Sequence, residues 1–218
     1  MEIIIEFTII FLLTIFQSLF GVGLLLFGTP IFLFIGYDFG STLVLLLPIS
    51  ISISFLQIVY QRSSIKSLVS EYNIFCLPFL VLFLVVAITL RDMVDIRIYV
   101  SIILIVTSLI ILNKNRIFRR EKCLLKYRKV YLILIGSIHG FTNMGGGFLS
   151  IFSTLVNGGD RELTRKYISY GYFVMGVIQY TTILFIGLSN IDFTKLYYIF
   201  LALFLFFPSP PLFDLKCC

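Results

Sequence analysis

The chain has 218 residues, of which 59% are hydrophobic and only 13% charged, and its formal net charge is +6. A soluble domain carries roughly twice that charged fraction, so the composition excludes a water-soluble globular domain and describes an integral membrane protein. The charge is concentrated: eight basic residues and one acid lie in "NKNRIFRREKCLLKYRK", residues 113–129, and a basic loop between membrane helices marks the cytoplasmic side. That topological meaning is preferred over an anionic-lipid site or a nucleic-acid partner.

The opening "MEIIIEFTII" carries acids and no Lys or Arg, so it lacks the basic region of a cleavable signal peptide and is read as mature protein. Apolar segments follow at 3–36, 42–60, 72–90, 96–112, 130–156, 167–188 and 193–207. Runs of about 17–25 apolar residues cross the hydrocarbon core as helices, and the short alternating segments of a membrane β-barrel are absent from the pattern. Segment 3–36 would measure roughly 51 Å as one helix, against a core near 30 Å. It must fold back, and "FGVGLLLFGTP" in its middle holds Gly21, Gly23, Gly28 and Pro30 as candidate interruptions. Segment 130–156 is likewise long and is broken at "NMGGGF". Each is expected to form a hairpin of two short helices with its tip in the membrane.

With 113–129 inside, the sides of the other loops follow by alternation. "RDMVD" at 91–95 falls outside and "QRSSIK" at 61–66 inside; Asp38 and the N-terminus are outside. Downstream, "GGDRELTRK" at 158–166 is inside, "SNID" outside and the C-terminal tail inside. Every strongly basic loop then lies on one face, as expected of a cell (inner or plasma) membrane protein.

An offset of 122 residues aligns the two hairpins: Gly23 with Gly145, Gly36 with Gly158, Asp38 with Asp160, Thr42 with Thr164, Gln57 with Gln179, and Gln17 with His139. One hairpin and three crossings separate equivalent points. The second copy is therefore inverted, the architecture of many secondary transporters. The expected fold is an all-α integral membrane protein with a first repeat at 1–112, a cytoplasmic loop at 113–129 and a second repeat at 130–218. The helix at 96–112 should recur past position 218, and the end, "FFPSPPLFDLKCC", is not helical in character. The second repeat is thus expected to lack its last helix, through truncation, a frameshift or a naturally shorter form.

The stretches "GVGLLLFGTP" and "NMGGGF" resemble the two glycine-rich signatures of the sulfite exporter TauE/SafE family, permeases built from two related halves. Gly21, Gly23 and Pro30 occupy the first, third and last places of that family's Gly-x-Gly-Gly-Gly and Pro pattern, with Leu24 and Leu25 in place of two glycines. The second copy keeps Gly145, Gly146 and Gly147, with Asn143 for the leading Gly and Phe152 for the Pro. The resemblance implies transport, usually outward, of small sulfur-containing oxyanions or organosulfonates. The departures leave substrate and direction open.

The residues themselves point to similar chemistry. The first free N–H groups of a short helix accept an anion without a full counter-charge, so the segments starting at Gly23 and at Gly145–Gly147 are candidate anion cradles. Close helix packing is the competing role for these glycines. Gln57 and Gln179 are polar groups that lipid would not tolerate, with Ser50, Ser52 and Ser54 as weaker candidates. His139 could donate to an anion or carry a proton, or be a hydrogen-bonded packing residue. Asn143 and Thr142 could bind or cap the short helix, and Asp38 and Asp160 cap helices.

The expected function is secondary transport of a small anion through the bilayer, coupled to a proton or the membrane potential. No Walker loop suggests ATP use, and homo-oligomerisation is left open. The alternative is a non-transporting or truncated remnant or subunit of such a permease. One histidine and no intramembrane carboxylate pair argue against an enzyme. Cys76, Cys123, Cys217 and Cys218 lack metal-ligand spacing, so no metal or cofactor is expected.

Overall fold

A computed structural model of the chain describes residues 2–60, 66–90, 93–113, 125–186, 195 and 197–206. Most of the basic loop, "SNID", parts of "QRSSIK" and "RDMVD", and the tail from 207 lie outside the described residues. All regular structure among the described residues is helical: α1 (Glu2–Phe20), α2 (Leu24–Ile35), α3 (Phe39–Tyr60), α4 (Lys66–Thr89), α5 (Ile96–Leu112), α6 (Arg128–Thr142), α7 (Gly146–Val156), α8 (Arg161–Ile186) and α9 (Tyr197–Phe206). Phe39–Tyr60, Val69–Thr89 and Arg161–Ile186 are long and apolar enough to cross a membrane, as expected of a membrane protein. Lipid-type exposure accompanies them: α5 presents Ile98, Ile102, Ile105 and Leu109 along one stripe, and α9 presents Phe200 and Phe204, a face that water would not tolerate but hydrocarbon would.

Both long segments break where folding back was expected, but the first break is narrower than the sequence suggested. It occupies Gly21–Gly23, where Gly21 (φ 78°) and Gly23 (φ 149°) have a backbone sign that side-chain-bearing residues avoid. Gly28 and Pro30, also expected to interrupt, lie inside α2. Pro30 there removes only its own N–H from the helical ladder. The second break runs from Asn143, a left-handed cap at φ 60°, to Gly145.

Packing holds the two long segments against the crossings. The broadest contact is α4 with α6, because Gly136 and Gly140, four residues apart, let the α6 backbone touch that of α4: a Cβ at either position would overlap the carbonyl oxygen of Cys76 or Leu80. The next is α3 with α8, where Gly176 receives Ile51. α2 lies on α3 and α7 on α8, while α9 covers α3 and α1, and α2 and α7 touch. Leu24, Leu43, Leu46, Ile53, Leu149 and Met175 are wholly buried in the core between these helices.

Candidate functional site

Backbone hydrogen bonds at the two breaks correspond at the 122-residue offset, although Gly23 (φ 149°) and Gly145 (φ −63°) differ in conformation. At the first, Gly21 N–H donates to the Gln17 carbonyl at 2.8 Å, and the first α2 bond runs from Phe27 N–H to Gly23 O at 2.8 Å. At the second, Asn143 N–H donates to the His139 carbonyl at 2.7 Å, and Leu149 N–H to Gly145 O at 2.9 Å. The crossing that follows each hairpin then reaches back to the same carbonyl. Gln57 Nε2 donates to Gln17 O at 2.9 Å, and Gln179 Nε2 to His139 O at 3.4 Å. The turns match too: Asp38 accepts from Ser41 N–H and Asp160 from Leu163 N–H, both at 3.0 Å, so both aspartates cap helices as expected.

No side chain caps α2 or α7. Thr142 and Asn143, expected as possible caps, are engaged elsewhere: Thr142 Oγ1 donates to Ile138 O at 2.7 Å, and Asn143 Nδ2 donates to Thr29 Oγ1 on α2 at 2.9 Å. The N–H groups of Gly146, Gly147 and Phe148 therefore precede the first helical bond of α7 and point out of its positive end. Each glycine of the triplet is also required by packing. A Cβ on Gly145 would sit 2.5 Å from His139 Cβ, one on Gly147 2.5 Å from Thr107 Cγ2, and one on Gly146 would overlap the Tyr172 hydroxyl. Close packing and an open helix terminus coexist.

The two breaks differ in how their polar side chains are paired. At the first, Gln17 Nε2 donates to Ser50 Oγ at 3.1 Å and Ser54 Oγ at 3.2 Å, and Ser169 Oγ donates to Gln57 Oε1 at 3.0 Å. Ser52 faces away and bonds its own helix at Pro48 O, 2.9 Å. Arg165 Nη2 donates to Ser18 O at 2.7 Å, its Cγ within van der Waals reach of Gly21. At the second break, both ring nitrogens of His139, the Tyr172 hydroxyl, Gln179 Oε1 and Asn143 Oδ1 are buried without a partner. His139 and Tyr172 are 0% exposed, and their rings meet edge-on with centroids 6.2 Å apart.

The chain matches no protein-family model, no curated protein and no solved structure.

The chemistry of the site thus rests on its own groups. Of the residues singled out in the sequence, Gly21, Gly23 and Gln57 converge on the first break, and His139, Asn143, Gly145, Gly146, Gly147 and Gln179 on the second. Pro30 lies within α2, buried one residue beyond the Thr29 that holds Asn143. Tyr172, Ser169 and Arg165 were not singled out. A tyrosine more than one helical turn inside segment 167–188 was the available signal for Tyr172, because interfacial anchoring explains it less well than it explains Tyr167 at the segment's end. A cleft of ≈ 530 Å³ opens away from both breaks, between the α2–α3 turn and the start of α5, with Asp38, Asp95 and Arg97 in its wall.

A second polar group ties α1 to the start of α9. Glu6, buried in α1, accepts from Tyr37 Oη at 2.7 Å and from Lys195 Nζ at 3.0 Å.

Proposed function

We propose that this chain is a secondary permease for a small oxyanion, with sulfite or an organosulfonate as the leading substrate class, working by alternating access between two inverted halves. The observation that carries the reading is the uncapped α7 terminus at Gly146, faced by buried polar groups that nothing in the protein pairs. A buried unpaired polar group costs about 1–3 kcal/mol. A ligand that both accepts and donates hydrogen bonds would recover that cost. Backbone N–H groups and neutral side chains suit an anion that must also leave, since they supply partial charge without a fixed cation.

The repeat is supported by the bonds at the 122-residue offset and by several helix contacts that exchange when the halves exchange, although α1–α3 has no α6–α8 counterpart of similar extent. The α4–α6 contact corresponds to α9–α1 and α2–α3 to α7–α8, while α3–α8 and α2–α7 map onto themselves. With the basic loop cytoplasmic and the N-terminus outside, the two hairpins enter from opposite faces. The second break is tied to the first hairpin by the bond from Asn143 to Thr29, within α2.

The test is flux. Purified protein in liposomes should move sulfite or sulfoacetate faster than empty vesicles do, with acetate and sulfate as comparisons. Flux indistinguishable from empty vesicles for every anion contradicts the reading.

A further inference from the structure

We propose that the second break binds its oxyanion in a protonated, singly charged form, a hydrogen oxyanion carrying its own O–H, and that the Tyr172 hydroxyl is a specificity-determining contact. The inference rests on the reading of this break as the anion site and narrows what the site accepts.

The argument is an inventory of hydrogen-bonding groups. The α7 terminus supplies N–H donors only. The neutral imidazole of His139 has one donor and one acceptor nitrogen, and the Tyr172 hydroxyl can act either way; none of the three atoms has a partner. Gln179 Oε1 accepts only, and its amide cannot be reversed without setting that oxygen against the His139 carbonyl that Nε2 now reaches. The Gln179 side chain lies beside the His139 ring; if the imidazole N–H turns to Gln179 Oε1, the other ring nitrogen is left as an acceptor, so the site combines several donors with at least one acceptor that an aprotic anion leaves unpaired. An anion with an O–H satisfies both kinds.

Charge points the same way. The groups that converge here are His139, Tyr172, Gln179 and the first turn of α7, and none is a lysine or arginine. The Arg165 guanidinium is engaged at the other break, on Ser18 O. A helix terminus offers roughly half a unit of positive charge, enough to hold a monoanion and poorly matched to a dianion. The acceptor left over between His139 and Gln179 would also repel an unprotonated anion oxygen.

The first break shows the contrast. Gln17, Ser50, Ser54, Gln57 and Ser169 bond one another there, so it acts as a brace with Ser18 Oγ and Arg165 Nε left over, while the second break leaves both His139 nitrogens, the Tyr172 hydroxyl, Gln179 Oε1 and Asn143 Oδ1 without partners. Tyr172 is aimed into the site by position: its hydroxyl occupies the place a Gly146 side chain would need.

The test uses the full chain purified in detergent, by calorimetric titration and thermal unfolding. The probes are sodium hydrogen sulfite at mildly acidic pH, sodium hydrogen carbonate near neutral pH, sodium methanesulfonate and sodium sulfate. The inference predicts saturable binding of one or both hydrogen oxyanions, and which one binds identifies the source of the ligand. Methanesulfonate, equally charged but without an O–H, should bind at least roughly tenfold more weakly, and sulfate likewise. Tyr172→Phe should unfold at the same or higher temperature without ligand, since it removes an unpaired buried hydroxyl. It should also lose at least roughly tenfold in affinity for the hydrogen oxyanion.

Methanesulfonate or sulfate binding as tightly as the hydrogen oxyanions overturns the protonated-ligand inference and leaves the anion permease standing. Binding of none of the four probes overturns the permease reading as well. Unchanged affinity in Tyr172→Phe, or a lower unfolding temperature of its unliganded form, overturns the role given to Tyr172.

Discussion

Gln57→Leu and Gln179→Leu, made singly, remove side chains at equivalent places but with different bonding. Gln57 donates to Gln17 O at 2.9 Å and Ser18 O at 3.4 Å and accepts from Ser169 at 3.0 Å. Its partners keep other bonds after truncation: Gly21 N–H still reaches Gln17 O, Arg165 still reaches Ser18 O, and Ser169 still reaches Arg165 O. The loss is then the bonds themselves, at about 0.6 kcal/mol each inside a membrane protein, or about 1–2 kcal/mol in all. Gln179 makes one long bond of 3.4 Å and carries an unpaired Oε1. Replacing it loses little and relieves a buried acceptor, so its net cost is near zero and stabilisation by up to about 1 kcal/mol is within reach. Unfolding in mixed micelles of rising SDS fraction, followed by far-ultraviolet circular dichroism, measures both. A cost for Gln179→Leu equal to or above that of Gln57→Leu would refute the distinction between a paired and an unpaired break.

Gly140→Ala should cost about 1–3 kcal/mol in the same assay, because its Cβ meets the Leu80 backbone rather than a side chain that can turn away; an unchanged midpoint would remove close backbone contact as the basis of the α4–α6 pairing. Lys195→Met leaves the buried Glu6 carboxylate without its cation and should cost about 1–3 kcal/mol, less than a fully buried pair because Lys195 is partly exposed. Adding Glu6→Gln should restore most of it, and no recovery would contradict the pairing. At Asp38, partial burial favours the neutral acid, but donation from the Ser41 hydroxyl and N–H holds the carboxyl below the usual carboxylate range. Its stabilising contribution is therefore full above the unfolded-state value and is lost as pH falls through the folded one. Asp38→Asn should flatten that acid limb of the stability profile, and an identical limb in the variant would contradict the assignment.

The hairpins were legible because breaking a helix inside a bilayer requires unusual residues. Gly21, Gly23 and the "NMGGGF" run could not be explained as ordinary apolar filler. The aspartate caps and the Gln57–Gln179 correspondence were legible for the same reason, as rare polar residues at a constant offset. Pro30 misled because a proline signals only a missing N–H, and a helix packed on both sides tolerates that. The contrast between the breaks was hidden, since pairing of Gln17 with Ser50 and Ser54 depends on how α1 and α3 cross. Tyr172 was hidden by its company: a hydroxyl within an apolar run looks like one more aromatic until the chain places it over Gly146. Gly136 and Gly140 carried a recognisable small-residue spacing, but the backbone they meet, at Cys76 and Leu80 on α4, is distant in the chain.

The most direct test of the central claim is anion flux in liposomes carrying wild-type protein, Gly146→Leu or Ser52→Ala. Gly146→Leu drives a side chain into the place of the Tyr172 hydroxyl over the α7 terminus, whereas Ser52 bonds only its own helix. The account predicts flux above empty vesicles for the wild type and Ser52→Ala, and none for Gly146→Leu inserted in equal amount. Undiminished flux through Gly146→Leu would contradict it.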